Sequence, residues 1–260
     1  GPLADARIDV EGGIAVLSVY ARLAVREFPD DTILAEGDAR GLLGNPSFVG
    51  QTIYTSTRGV MVAINAYNFP VWGMLEKLAP TMLAGLPTIV KPAPQTMHLA
   101  EMVARQIIES GILPEGSFQF LAGPPESLLD HLGVGDHISV TGSARTAALL
   151  RAHPAVTERG VQFNAEADSL NATILGPDAT PGTPEFDLFV KAVVREMGSK
   201  AGQKCTAIRR IFVPTEHVDE VVSGVREALG RIVIGDPREP TTQMGPLVSA
   251  VARATVEGKL

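Results

Sequence analysis

From Gly59 onward, short apolar runs alternate with longer stretches whose apolar residues recur every three or four positions. Gly59-Val60-Met61-Val62-Ala63-Ile64-Asn65 is apolar at nearly every step and predicts a buried strand; a helix over 72–84, containing Pro80, leads to a second strand at Thr88-Ile89-Val90-Lys91. This is one βαβ unit. The next helix is expected over 97–111, with Thr96 as candidate N-cap and Leu99, Val103 and Ile107 on one face. A strand over 118–121, a helix over 126–132, a strand over 137–141 and a helix over 144–152 follow. Further on, Ala172-Thr173-Ile174-Leu175 predicts a strand. Thr183-Pro184-Glu185 opens a helix whose stripe is Phe186, Phe189, Val190, Val193, Val194 and Met197. Arg210-Ile211-Phe212-Val213 is the next strand, and Val218, Val221, Val222, Val225 and Leu229 mark another helix. The first fifty residues carry a weaker pattern, with one helix expected over 14–27.

Strands separated by helices predict an α/β fold of doubly wound, mostly parallel sheets with right-handed crossovers. Such sheets bind ligands at the carboxyl ends of their strands. Composition agrees with a globular chain: 260 residues, 45% hydrophobic and 20% charged. A net charge of -7 without a block of Lys and Arg argues against nucleic acid as a partner and favours a small polar ligand. No apolar run reaches the ~20 residues of a membrane span. The single cysteine allows no internal disulfide, so a reducing cytoplasm is the expected compartment. None of the five histidines has metal-ligand spacing, and no metal is expected.

That cysteine, Cys205, lies in Gly202-Gln203-Lys204-Cys205-Thr206-Ala207, between a helical and a strand-like stretch. Spacing alone leaves two readings, a small buried thiol and a displayed nucleophile, and Lys204 beside it gives only modest help to a thiolate. Glu166 stands shortly before a strand, as a general base whose charged form desolvation disfavours or as a solvated loop acid. Asp168 has the same two readings. Asn68 follows the first strand of the βαβ unit, as an amide donor to an oxyanion or as a turn former before Phe69-Pro70. Lys91 ends a strand at the ligand-binding edge. Thr141-Gly142-Ser143 joins a strand to a helix whose first N–H groups can hold phosphate, but no Gly-x-Gly-x-x-Gly follows the first strand.

Taken together, Asn68-Phe69-Pro70, Lys91-Pro92, Leu113-Pro114-Glu115-Gly116, Thr141-Gly142-Ser143, Glu166 and Gly202-Gln203-Lys204-Cys205-Thr206-Ala207 resemble the aldehyde dehydrogenase superfamily in order and spacing, from about Gly59 to the end. The segment Glu166-Ala167-Asp168-Ser169-Leu170-Asn171 is similar to a narrower group, the semialdehyde dehydrogenases of aerobic aromatic breakdown through CoA thioesters. These are the aldehyde dehydrogenase part of the phenylacetate ring-cleavage protein and the benzoyl-CoA pathway enzyme. The resemblance implies oxidation of a CoA-linked semialdehyde to the acid. Cys205 is then the nucleophile, the Asn68 amide and the Cys205 N–H the oxyanion donors, and Glu166 the base that activates water. It also implies a cofactor lined by Ile64, Asn65, Lys91, Pro94, Gly123, Thr141, Gly142 and Ser143. Pro94 stands where many NAD-preferring members carry a glutamate against the ribose hydroxyls, so NADP is the expected cofactor, with NAD possible in principle.

Departures from the family pattern follow from the same resemblance. Glu166-Ala167-Asp168-Ser169 stands where the superfamily has Glu-Leu-Gly-Gly, so bulkier residues replace glycines. The family's initial segment, the rest of its catalytic domain and its oligomerising strand are not in the sequence. The expected division is a cofactor-binding domain over 1–165 and the first part of a catalytic domain over 166–260, from a homo-oligomeric parent nearly twice as long. Two other readings stay open: acyl transfer from Cys205 to CoA, against which Glu166 stands, and binding of nucleotide or a partner without turnover.

Overall fold

The computed structural model describes residues 1–259 and divides into two compact units, residues 10–167 and residues 1–9 with 168–260. Helix α1 spans Leu3–Glu27, and an antiparallel hairpin follows, β1 (Ile33–Leu42) and β2 (Asn45–Thr55). The centre of the first unit is a parallel sheet of β3 (Met61–Ile64), β4 (Thr88–Lys91), β5 (Phe118–Phe120), β6 (His137–Gly142) and β7 (Gln162–Ala167), in the order β5-β4-β3-β6-β7. Between them run α2 (Trp72–Leu83), α3 (Met97–Glu109), α4 (Glu126–Leu129), α5 (Ala144–Arg151) and α6 (Pro154–Thr157).

Side chains of a strand alternate between its two faces, and here both faces are covered. Val62, Ile64, Ile138 and Val140 pack with Leu129, Leu132, Leu150 and Val161. Ala63 and Val90 pack on the other side with Met74, Leu75, Leu78, Ala104 and Phe118. This explains why β3 reads as a continuous apolar run rather than an alternating one. Helix α3 differs from expectation in its detail: Ala100 and Ala104 are its buried residues, whereas Leu99 is 43% exposed. Thr96 does not cap it; its hydroxyl donates to the Tyr67 carbonyl at 3.0 Å.

Two parts of this unit escaped the sequence pattern. The hairpin β1–β2 turns at Leu43 and Gly44, both left-handed at φ 55° and 68°, the geometry a tight two-residue hairpin requires. Its strands are solvent-exposed along most of their length, so no apolar period marks them. Helix α1 begins at Leu3 rather than at residue 14, and carries Gly12-Gly13 through its middle despite their poor helix propensity. Packing explains the pair: a Cβ on Gly12 would lie 2.2 Å from the Trp72 ring, and one on Gly13 would lie 3.1 Å from the Trp72 Cα.

In the second unit, β8 (Ala172–Ile174) pairs in parallel with β9 (Arg210–Phe212). Helix α7 (Pro184–Gly198) starts on Thr183, whose hydroxyl accepts from the Phe186 N–H at 3.3 Å, and α8 (Val218–Gly230) and α9 (Ala250–Glu257) follow. Leu175, Phe186, Phe189, Val193 and Val221 form its core with Val190 packed against it; of the stripe read from the sequence, Val194 is not in that cluster and Met197 is 42% exposed. Among the described residues, no helix is long and apolar enough to cross a membrane.

The α1 contact predicts that Gly12→Ala destabilises the first unit by about 1–3 kcal/mol, the cost of overpacking a tight site, measured by urea unfolding followed through Trp72 fluorescence.

Candidate active site

Every candidate site residue except Cys205 falls in the first unit. Because its five strands are parallel, their carboxyl ends lie on one edge, and the order β5-β4-β3-β6-β7 places the topological switch between β3 and β6. Ile64 is paired with Val140 across that switch, so Asn65 and Thr141 each stand one residue beyond the pair. The Asn65 N–H is used, donating to the Lys91 carbonyl at 3.0 Å. Its side chain is not: Asn65 is 5% exposed, and neither Oδ1 nor Nδ2 has a hydrogen-bond partner. The Thr141 hydroxyl is likewise buried without a partner. A buried polar group left unpaired costs about 1–3 kcal/mol, so a donor-acceptor amide and a hydroxyl in this state at a ligand-binding edge fit a polar ligand that completes them.

The surrounding residues leave room for such a group. A Cβ on Gly142 or on Gly123 would meet nothing within 4 Å. Ser143 caps α5, its hydroxyl accepting from the Thr146 N–H at 3.1 Å, so the start of this helix rather than the serine hydroxyl is what a phosphate would meet. Lys91 is the last residue of β4, and Pro94 opens the single 3-10 turn that follows it, exposed to solvent. Asn68 lies half-buried in the loop between β3 and α2.

Glu166 lies within a strand, β7, with Thr141 as its register partner on β6, and its side chain is 50% exposed. Lys77, which no sequence motif marks, reaches it from α2: the ammonium is 3.5 Å from Glu166 and 3.0 Å from Glu76. Burial alone would lower the pKa of this ammonium, but the two carboxylates outweigh it and the net shift is upward. The one available sequence signal is a lysine in an otherwise apolar helical face, 18% exposed once folded.

In the second unit, the residues after Glu166 hold the backbone of Cys205. Asp168 is left-handed at φ 49°, a conformation that aspartate tolerates better than most residues and that the superfamily's glycine adopts freely. Three residues later, the Asn171 amide donates to the Cys205 carbonyl at 2.6 Å and to the Ala207 carbonyl at 3.2 Å, and the Ser169 hydroxyl donates to the Cys205 carbonyl at 2.5 Å. The Asn171 carbonyl accepts from the N–H groups of Arg209 and Arg210 at 2.9 and 3.0 Å. Arg209 returns to the same loop, donating to the Gly202 and Lys204 carbonyls at 3.2 and 3.1 Å. Cys205 is thereby fixed through its carbonyl while the residue itself is exposed, the displayed alternative of the two read from the sequence. The Lys204 ammonium is held by both Glu196 oxygens at 2.9 Å, so its charge is matched there. Asn171 and Ser169 act across 34 and 36 residues, and no local pattern announces them.

The aldehyde dehydrogenase family pattern matches residues 1–260. The chain belongs to the aldehyde dehydrogenase family. It is 47% identical over 250 residues to 3,4-dehydroadipyl-CoA semialdehyde dehydrogenase of Aromatoleum evansii, covering 96% of this chain and 48% of that protein. It is 30% identical to geranial dehydrogenase of Castellaniella defragrans, covering 94% and 48%. In fold it is similar to succinic semialdehyde dehydrogenase from Streptococcus pyogenes, solved with NADP+, at a TM-score of 0.84 and 22% identity over 100% of this chain and 53% of that one. Betaine aldehyde dehydrogenase from Staphylococcus aureus, solved with NAD+, gives a TM-score of 0.83 at 21% identity, covering 100% and 49%. The chain thus spans about half the length of these aldehyde dehydrogenases.

Because folding raises the pKa of Lys77, the folded chain holds that proton more tightly than the unfolded chain. The resulting stability is whole below the ordinary lysine value of 10.5 and is lost as pH rises through the higher folded value. Lys77→Gln is expected to cost about 0.5 kcal/mol at pH 8, discounted for the half-exposed Glu166, and the gap to the native chain should close on raising the pH past 10.5 in parallel urea titrations.

Proposed function

We propose that this chain carries the cofactor-binding residues and the nucleophile of an NADP-linked dehydrogenase that oxidises a CoA-bound semialdehyde from aromatic ring cleavage to the carboxylic acid. The observation that carries the reading is the exposed Cys205 on a carbonyl pinned by Asn171 and Ser169, in a chain 47% identical to a dehydrogenase named for a CoA-linked semialdehyde. In this reading residues 1–165 are the cofactor-binding domain and 166–260 the first part of the catalytic one, although residues 1–9 group with the latter in the structure.

In this reading the Cys205 thiolate attacks the aldehyde carbon, and the Asn68 amide and the Cys205 N–H stabilise the oxyanion of the thiohemiacetal. A nicotinamide cofactor supplies the hydride acceptor. Ile64, Asn65, Lys91, Pro94, Gly123, Thr141, Gly142 and Ser143 would hold it, and the unpaired Asn65 amide and Thr141 hydroxyl support that assignment. Glu166 then takes a proton from the water that hydrolyses the Cys205 thioester, with Lys77 steadying its carboxylate. Pro94 places no carboxylate near the ribose, which favours NADP over NAD, since a glutamate would repel a 2′-phosphate. A reducing cytoplasm fits a chain whose single cysteine is exposed. A homo-oligomeric full-length protein is supported by the exposed apolar residues of the hairpin, among them Phe48, Val49 and Ile53. The half-length span favours a second reading, in which this stretch alone binds nucleotide without turnover.

The test is NADPH formation from a CoA-linked semialdehyde, with the product identified as free acid or acyl-CoA. Cys205→Ala should abolish the signal, and Glu166→Gln should slow thioester hydrolysis by roughly 10²–10⁴-fold and leave acylated protein detectable by mass spectrometry. Free acid as product supports hydrolysis, acyl-CoA would replace it by acyl transfer, and nucleotide binding without NADPH leaves the second reading. Pro94→Glu should move the NADP-to-NAD preference by about tenfold toward NAD.

A further inference from the structure

The loop that leads to Cys205 is strained, and its restraint comes from a distant part of the sequence. Lys200 and Ala201 lie at φ 50° and 55°, followed by Gly202 at 72°. Glycine enters this region freely, but two residues with a Cβ in succession do so only where their surroundings hold them. The Lys200 carbonyl accepts from the Gln203 N–H at 3.1 Å and from the Gln203 side-chain amide at 2.9 Å. The Gln203 Oε1 in turn accepts from the Val248 N–H at 3.0 Å. The remaining backbone group, the Lys200 N–H, donates to Asp5 Oδ2 at 3.1 Å, across a sequence separation of 195 residues.

Asp5 lies in the first turn of α1, within the segment 1–9 that forms one unit with residues 168–260. Pro2 anchors that segment: a Cβ on Gly245 would lie 3.4 Å from the Pro2 ring. Asp9, one turn further along, is 5% exposed. Burial lowers the pKa of the Lys200 ammonium, while the charges of Asp9 and Asp5 favour its protonated form and Lys204 opposes it. Two carboxylates from one helix end thus bear on a single strained residue five positions before the thiol.

We propose that Asp5, supported by Asp9, is a positioning residue that locks the left-handed turn at 200–202 and so fixes the backbone N–H and side-chain direction of Cys205. The lock derives its catalytic meaning from the reading of Cys205 as nucleophile. The backbone geometry on which it stands is independent of turnover.

The test uses the whole 260-residue chain and two readouts that need no substrate, hydrogen exchange of the 199–206 amides by mass spectrometry and the rate of Cys205 alkylation by iodoacetamide. Asp5→Ala should raise exchange of the turn about tenfold or more relative to other amides of residues 168–259, and change the alkylation rate at least about threefold. Asp5→Asn keeps an acceptor oxygen and should stay within about twofold of the native chain in both. Ala201→Gly removes one Cβ from the strained run and should return Asp5→Ala at least halfway to native exchange. If Asp5→Ala alone does not fold, a folded, protected turn in the double variant upholds the lock, and its absence overturns it. A uniform rise in exchange across 168–259, an unchanged turn, or failure of Asp5→Asn to retain protection would each overturn it as well. A chain without NADPH formation in which the turn loosens selectively keeps the lock and refutes only the activity.

Discussion

A parallel sheet covered on both faces has little room for polar side chains in its middle, and the first unit is organised by that constraint: among the described, buried residues of its strands only Thr88 and Ser139, with their small hydroxyls, are polar. Val62, Val90 and Val140 are almost wholly excluded from solvent, so larger polar and charged groups gather where the strands stop. Since all five strands stop in the same direction, Asn65, Lys91, Thr141 and Glu166 are brought to one edge by strand polarity alone. The unpaired Asn65 amide and Thr141 hydroxyl are the residue of that arrangement, polar atoms held at the switch between β3 and β6 at a cost in stability.

The second unit solves a different problem, holding one exposed side chain by its backbone. A loop that displays an exposed thiol gains no order from core packing around it. Its order comes instead from side chains that bind carbonyls: Asn171 and Ser169 on Cys205, Arg209 on Gly202 and Lys204, Gln203 on Lys200. These bonds also give a physical reason for the chain's departure from the superfamily's glycine pair. Ser169 contributes a hydroxyl that a glycine lacks, and Asp168 accepts the left-handed backbone that its position demands.

What the sequence disclosed and what it hid follow from the range of the interactions. Strands β3, β4 and β6 and helices α2, α7 and α8 are legible because burial imposes a local period on their residues. The start of α1 was hidden by Gly12-Gly13, whose purpose appears only when Trp72 is seen against them. The hairpin was hidden because solvent on both faces imposes no period, and β7 because its alternation is shallow. In the site, Cys205 and Glu166 stand in recognisable motifs. Lys77, Asn171 and Asp5 do not, because each works on a partner between 34 and 195 residues away in the chain.

Trp72 is the only tryptophan among the 260 residues. It opens α2 just after Asn68-Phe69-Pro70, meets Phe69 edge-on at 5.7 Å between ring centroids, and lies close over Gly12 of α1. Its indole therefore sees both the first helix and the loop that bears the candidate oxyanion donor. The chain carries a built-in optical reporter at that junction, one whose emission will register any displacement of the Asn68 loop without a label and without interference from a second indole.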